Sequence, residues 1–427
     1  MTAAIALILL FMLMALRVPI AFATLGAALV YFVFAPVPAE IFIQQVTNGL
    51  LPFPILAVPF FILTGSLMAR GGIATRVLGF ADALVGHRRG GLGQVNVVNS
   101  VLIGGMSGSA NADAAIDSRV VVPVMVRHGY SRSFAAAITS ASAVIAPILP
   151  PGIGLILYGV LASVSIGRLF IGGVVPALMM AVALSIVVDR ISKRRGYGST
   201  RSERLPFAAV LRSARDAIWA LLMPILLLVG LRLGVFTPTE LGALASFYAL
   251  FVGVVMYREL ALRDVLSALR ETVLTTAILA LILAAASAIS YIITVEQIPQ
   301  TLIEGLTGFS DNPYVILLLI NLLLVALGAL FESTALLVIL TPILAPVAAG
   351  LGIDLVHFGL ILVINLTIGA ITPPVGPILF TVATITGISV EELSKDLFPF
   401  VGALVVVLLL VTYVPALVTG LPGVMMG

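Results

Sequence analysis

The sequence predicts an all-α polytopic membrane protein built as an inverted repeat, with two re-entrant hairpins and two broken helices. Three observations lead there. First, 61% of the residues are hydrophobic, only 10% are charged, and the mean hydropathy is +1.23, far more apolar than a soluble domain of this length. Second, about thirty residues occur twice: Ile145 to Pro176 lies without a gap on Ile368 to Pro399, matching Ile148 with Ile371 and Pro150-Pro151 with Pro373-Pro374. Third, the charges flanking the two copies have opposite bias. Helices are required because lipid cannot satisfy an open backbone, and the segments lack the dyad alternation of outer-membrane strands.

The chain starts with an apolar run that has no basic n-region and continues past Arg17-Val18-Pro19 to Phe34. It reads as two mature spans rather than a signal peptide. Further apolar segments follow at about 50–68, 92–106, 116–126, 133–160 and 169–188, then 217–231, 239–256, 273–294, 314–330, 335–349, 356–386 and 398–420. Several are shorter than the ~20 helical residues a ~30 Å hydrocarbon core requires. The division is a first half, 1–188, with a hairpin at about 92–126 and a broken helix at about 133–160. A linker at 189–216 joins it to a second half, 217–427, with a hairpin at about 314–349 and a broken helix at about 356–386. Each proline pair removes backbone donors inside an apolar stretch and forces the preceding residue out of the helical region. Broken helices at matching positions of two halves point to the binding site of a secondary transporter.

Charge sets the orientation. The linker carries Arg190, Lys193, Arg194, Arg195, Arg201, Arg204, Arg212 and Arg215, which places it in the cytoplasm. If 92–126 enters from that side, Arg70, Arg76, Arg88, Arg89, Arg127 and Arg132 stay inside, and both termini are periplasmic. Arg258, Arg263 and Arg270 also fall inside. The second hairpin then enters from the opposite face, flanked by Glu296, Glu304, Asp311 and Asp354 with no Lys or Arg. Arg168 and Arg232 fall outside and run against the scheme. Arg212-Ser213-Ala214-Arg215 and the Trp219 region read as an interfacial anchor.

Chemistry concentrates at the hairpin tips. The first reads Gly104-Gly105-Met106-Ser107-Gly108-Ser109-Ala110-Asn111-Ala112-Asp113, and the second Gly328-Ala329-Leu330-Phe331-Glu332-Ser333-Thr334. Free carbonyls, hydroxyls, an amide and carboxylates are the hard oxygen ligands alkali cations take, while helix N-termini suit a substrate carboxylate. A carboxylate at membrane depth costs about 2.5–3.5 kcal/mol on insertion scales, so Asp113 and Glu332 point to function. Small residues such as Ser-Gly-Ser also serve close helix packing. The chain has no cysteine, and its three histidines, His87, His128 and His357, read as solvated loop residues. No Gly-x-x-x-x-Gly-Lys-Ser/Thr motif supports ATP use. No nucleic-acid partner and no cofactor are expected.

Residues 105–115, then His128-Gly129-Tyr130-Ser131-Arg132-Ser133-Phe134 and Ile148-Leu149-Pro150-Pro151, resemble the large (DctM-like) membrane subunit of the tripartite ATP-independent periplasmic transporters. Leu340-Thr341-Pro342-Ile343-Leu344-Ala345-Pro346, Phe358-Gly359, Thr372-Pro373-Pro374-Val375-Gly376 and Leu56-Ala57-Val58-Pro59-Phe60-Phe61 extend the match over essentially the whole chain. The resemblance implies an elevator-type scaffold plus transport domain, similar to the wider ion-transporter superfamily. It implies sodium-driven uptake of a small organic acid such as a C4-dicarboxylate or sialic acid, with Na+ as coupling ion. It further implies two partners in the bacterial inner membrane system: a small four-span subunit and a soluble periplasmic binding protein. Carried over by motif, Ser107, Gly108, Ser109 and Pro150 frame one sodium site, and Glu332, Ser333, Thr334, Thr372, Pro373 and Gly376 the other. Ser109, Asn111, Asp113, Thr334 and Asn365 are the substrate-binding candidates. Asn111 and Asp117-Ser118-Arg119 depart from the family pattern. The rivals are a binding-protein-independent anion transporter, a channel and, least of all, an intramembrane enzyme, for which no Ser/His, paired-Asp or His-Glu-x-x-His constellation is present.

Overall fold

A computed structural model describes residues 2–426 other than Ser202 and Asp311, so the flanking charge expected at Asp311 lies outside the described residues. Those residues form helices and turns and no strand. Six helices are long and apolar enough to cross a membrane, up to nine if each bent pair is one span.

One group of helices surrounds the long helix Leu262–Val295. Ile20–Phe34, Ala39–Asn48 and Ala57–Arg70 pack along it, and Pro238–Phe251 covers Ala57–Arg70. Thr2–Ala15 folds back on Ile20–Phe34 through Arg17, held at φ 65°. Aromatic stacking of Phe32 on Tyr291 (5.7 Å) and a hydrogen bond from Tyr31 Oη to Glu296 (2.7 Å) fasten the group at one end. An Arg70–Glu271 ion pair (3.0 Å) fastens it at the other.

The second group holds the two hairpins. Helices Gly91–Ser107 and Ala110–Arg127 form the first, and Pro313–Gly328 and Ser333–Gly350 the second. After each comes an interrupted helix. Arg132–Ala143 stops, a short 3-10 turn spans Ala146–Ile148, and Ile153–Leu161 resumes; Leu355–Gly369 stops and Pro377–Thr386 resumes. Then follow Ile166–Arg195 and Val390–Tyr413. The register that lays Pro150 on Pro373 also lays Ala110 on Ser333 and Arg132 on Leu355, where the corresponding helices begin. Both Pro150-Pro151 and Pro373-Pro374 bonds are cis.

Three helices, Ala39–Asn48, Ile73–Val85 and Ile298–Phe309, were passed over in the sequence, and a fourth, Phe207–Asp216, was marked only by the interfacial anchor at Arg212–Arg215. All four are short, and the mixed polar content of several hides them from an apolar-run search. Phe207–Asp216, within the linker, exposes Phe207 and Leu211 beside its arginines. His357 is a correction. It is buried in Leu355–Gly369, with Nε2 2.7 Å from the Val411 carbonyl and its amide bonded to Asp354, because Asp354 caps that helix and draws the next turn inside.

The second hairpin meets its interrupted helix backbone to backbone. A Cβ on Gly369 would lie 2.7 Å from Gly328 Cα and 2.9 Å from the Val325 carbonyl. Gly369→Ala is therefore expected to cost about 1–3 kcal/mol by overpacking. The check is thermal unfolding in detergent, with Gly402→Ala, whose Cβ meets nothing within 4 Å, as reference. An unchanged midpoint in Gly369→Ala would refute this account of the contact.

Candidate functional site

The two tips meet in one cavity of about 570 Å³. The first contributes Gly108, Ser109, Ala110 and Asn111, and the second Glu332, Ser333 and Thr334. The interruptions add Pro147, Ile153, Ala370 and Pro377, with Leu366 and Thr367 from the preceding turn. The opposite wall comes from the other helix group: Pro19, Ile20, Ala21 and Phe22, and Thr275, Ile278 and Ile282 of the long helix. The volume falls in the ~300–1,000 Å³ range of small-molecule sites, and the mostly apolar lining with few convergent polar groups is typical of them.

The tips are built alike. Ser109 caps Ala110–Arg127, accepting from the Ala112 amide (3.4 Å), and Glu332 caps Ser333–Gly350, accepting from the Ala335 amide (2.8 Å). Both second arms thus present their N-termini, with orphan amides and partial positive charge, to the cavity. Each tip is also tied to its own interruption. Ile153 N donates to the Gly108 carbonyl (3.2 Å), and Gly376 N donates to the Ala329 carbonyl (2.9 Å). Ser333 Oγ adds a bond to the Leu366 carbonyl (3.0 Å).

The interruptions free carbonyl oxygens because proline has no N–H. Pro147, Pro150 and Pro151 remove the helical donors for Ala143, Ala146 and Pro147, and Pro377 does so for Pro373. The Pro151 carbonyl lies directly against Gly108, and the Thr372 and Ala370 carbonyls converge on Gly376. Gly108 and Gly376 both have positive φ, 61° and 56°, a conformation side chains other than glycine's resist. Thr372 Oγ1 donates to the Ile368 carbonyl (2.8 Å), and Ser107 Oγ is buried with no hydrogen-bond partner among the described residues.

Of the residues picked from sequence, Gly108, Ser109, Asn111, Glu332, Ser333 and Thr334 line the cavity. Ser107, Pro150, Thr372, Pro373 and Gly376 stand behind it at the tips and interruptions. Asp113 and Asn365 do not line it. Asn365 donates to Asn321 Oδ1 (2.8 Å), and Asn321 in turn donates to Thr412 (2.9 Å). Asp113, one turn behind the tip, is 0% exposed, and neither carboxylate oxygen has a hydrogen-bond partner among the described residues. Asp117, 1% exposed, accepts from Asn99 (2.9 Å) and sits over a chain of buried bonds joining Ser100, Ser142, Asn96 and Thr139. Sequence reading missed that network, although Asn96, Asn99 and Ser100 in a membrane-depth arm were a signal for it. It also missed the wall at Pro19–Phe22, which the Arg17-Val18-Pro19 interruption announces, and at Thr275, which no motif marks.

An all-helical fold with two hairpin tips converging on a cavity is of a kind already seen in solved structures. The Neisseria gonorrhoeae MtrF structure, described as illuminating a class of antimetabolite efflux pumps, superposes with a TM-score of 0.62 at 14% identity, over 92% of this chain and 93% of that one. The sequence is more specific. Residues 7–417 match the family model of the tripartite ATP-independent periplasmic transporter, DctM component, and the chain belongs to that family. It is 42% identical to the sialic acid TRAP transporter large permease protein SiaM of Vibrio cholerae, over 96% of each chain. It is 36% identical to the C4-dicarboxylate TRAP transporter large permease protein DctM of Pseudomonas aeruginosa, over 93% of each. This is a permease component and not an enzyme.

Proposed function

We propose that this chain carries a small organic acid into the cell across the inner membrane, drawing on the sodium gradient. The acid, of the carboxylate type that names its relatives, is handed over by a periplasmic binding protein, with a small four-span subunit alongside. The observation that carries the reading is the single cavity where both hairpin tips face the other helix group. An anion entering against a negative interior is opposed by about 2.3 kcal/mol per charge per 100 mV. Two sodium ions accompanying a monoanion reverse that sign. The tips supply both halves of the chemistry: freed carbonyls and hydroxyls for cations, and the N-termini at Ser109–Asn111 and Glu332–Thr334 for the acid's carboxylate.

In this reading the first hairpin enters from the cytoplasm and the second from the periplasm, the termini are periplasmic and the 189–216 linker is cytoplasmic. Sodium orders the tips, the substrate completes the site, and the loaded hairpin group moves against the helices around Leu262–Val295. The test is uptake into proteoliposomes with the candidate binding protein present. An inward sodium gradient is expected to drive accumulation that collapses when potassium replaces sodium. Ser107→Ala and Thr372→Ala each remove one hydroxyl near an interruption and are expected to raise the sodium concentration for half-maximal uptake by about tenfold, the worth of ~1.4 kcal/mol of ligand contact. An unchanged sodium response in both variants would sink the sodium sites. Uptake with no sodium gradient and no binding protein would favour the binding-protein-independent alternative.

A further inference from the structure

A second pocket lies far from the tips, where the linker folds back on the chain. It measures about 420 Å³ and is lined by His87, Arg89, Ser192, Lys193, Gly196 and Tyr197, with Gly198 and Ser199 closing it. The linker is strapped there by backbone bonds: Gly91 N donates to the Gly198 carbonyl (3.2 Å) and Thr200 N to the Gly86 carbonyl (3.0 Å). Tyr130 Oη also reaches Gly198 (3.2 Å), and Arg201 pairs with Asp82. The strap thus ties the segment leading into the first hairpin to the end of helix Ile166–Arg195.

The pocket is one-sided in charge. Arg89 and Lys193 project into it, no acidic side chain lines it, and the two cations make no ion pair or side-chain hydrogen bond with a described residue. Arg195 and Arg201, by contrast, are bound to Asp396 and Asp82. A basic patch at a membrane edge is commonly just solvated. Two buried groups separate this one from that case. Ser192 is 0% exposed and its Oγ, turned toward Gly90, has no hydrogen-bond partner among the described residues; His87 Nδ1 is likewise buried and unpartnered among them. A buried polar atom left without a partner is costly, so an orphaned hydroxyl and an orphaned imidazole nitrogen beside two uncompensated cations describe a built oxyanion cup.

The geometry points to a binding site for a phosphate group, held by the Arg89 guanidinium, the Lys193 ammonium and the buried Ser192 hydroxyl, with His87 adding a donor in the tautomer protonated at Nδ1. A guanidinium fork and several donors from different directions suit a tetrahedral oxyanion. The group can come from an anionic lipid headgroup or from soluble phosphate, since the pocket sits at the end of a spanning helix and opens to solvent. Its occupation bridges the linker and the hairpin entrance and so stiffens the strap. The site goes beyond the transport reading and does not depend on it.

Thermal unfolding of the purified full chain tests it. One arm adds inorganic phosphate against sodium chloride of equal ionic strength, and the other adds short-chain phosphatidylglycerol against phosphatidylcholine. At a saturating ligand, Tm is expected to rise by about 2–4 °C in at least one arm, and the arm that responds names the source. The double variant R89Q/K193Q, both at exposed positions, is expected to lose the rise while keeping the ligand-free Tm, and Ser192→Ala to weaken it. No rise in either arm, or an equal rise in the double variant, overturns the site.

Discussion

Gly108→Ala sharply lowers uptake while leaving a folded, membrane-inserted chain: this is the expected result of placing one methyl group at the first hairpin tip. Gly108 has φ 61° between the two hairpin arms, and an L-residue held there costs on the order of 1–3 kcal/mol. Its Cβ would also overlap the Pro151 carbonyl oxygen and crowd Gly152 Cα. That carbonyl belongs to the interruption that the tip must meet, and the neighbouring Gly108 carbonyl receives the Ile153 amide. The methyl therefore pushes the tip away from its own interruption and misplaces Ser109 and Asn111 in the cavity. Since ~1.4 kcal/mol is tenfold in an equilibrium, uptake should fall by about tenfold or more. Gly129→Ala separates strain from position. Gly129 also has positive φ, 86°, at the far end of the same hairpin, but a Cβ there meets nothing within 4 Å. It should lose stability to a similar degree and keep transport per folded molecule. Equal uptake loss in both variants would mean that the tip itself is not special.

The outline of this fold was readable because its decisive residues break rules that membrane helices otherwise keep. Proline pairs in apolar stretches and glycine-serine runs between them mark the interruptions and the tips from sequence alone. The polar residues at the tips were readable for the same reason, and five of them, Ser109, Asn111, Glu332, Ser333 and Thr334, line the cavity. Asp113 shows the limit. A carboxylate four residues past Ser109 is at the tip in sequence, but it sits one helical turn deeper than Ser109 and nearly opposite the cavity-lining Asn111 around the helix, on the same face as Asp117, which meets Asn99 and Ser100. Periodicity places it on a face without saying what that face meets. The wall at Thr275 and Ile278 was invisible for a deeper reason. It belongs to an uninterrupted apolar helix with no local irregularity, and becomes part of the site only because packing sets it opposite the tips. The short helices Ile73–Val85 and Ile298–Phe309, which lead into the two hairpins, escaped because a dozen residues of mixed polarity resemble a loop.

The proposed movement of the hairpin group makes a larger prediction still, and the chain's lack of cysteine makes it clean to test. Gly105, in the first hairpin arm, faces Pro224 of helix Ile218–Arg232: a Cβ on Gly105 would lie 3.7 Å from Pro224 Cβ and 3.4 Å from its Cγ. Disulfides span Cβ separations of about 3.5–4.5 Å, so the G105C/P224C pair should close under mild oxidation with little backbone adjustment. If the hairpin group must travel past Ile218–Arg232 to carry its load, the closed disulfide stops the cycle entirely, and a reductant restores it in the same vesicles. Each single variant should transport whether oxidised or reduced, which excludes harm from the substitutions alone. Loss of thiol labelling reports how much protein has closed, so the fraction of uptake lost can be set against the fraction bridged. A fully bridged population that still accumulates substrate at the reduced rate would show that this hairpin and this helix never part. The moving boundary would then lie elsewhere, and a local opening of the tips over a fixed Gly91–Ser107 arm would replace movement of the whole hairpin group as the transport step.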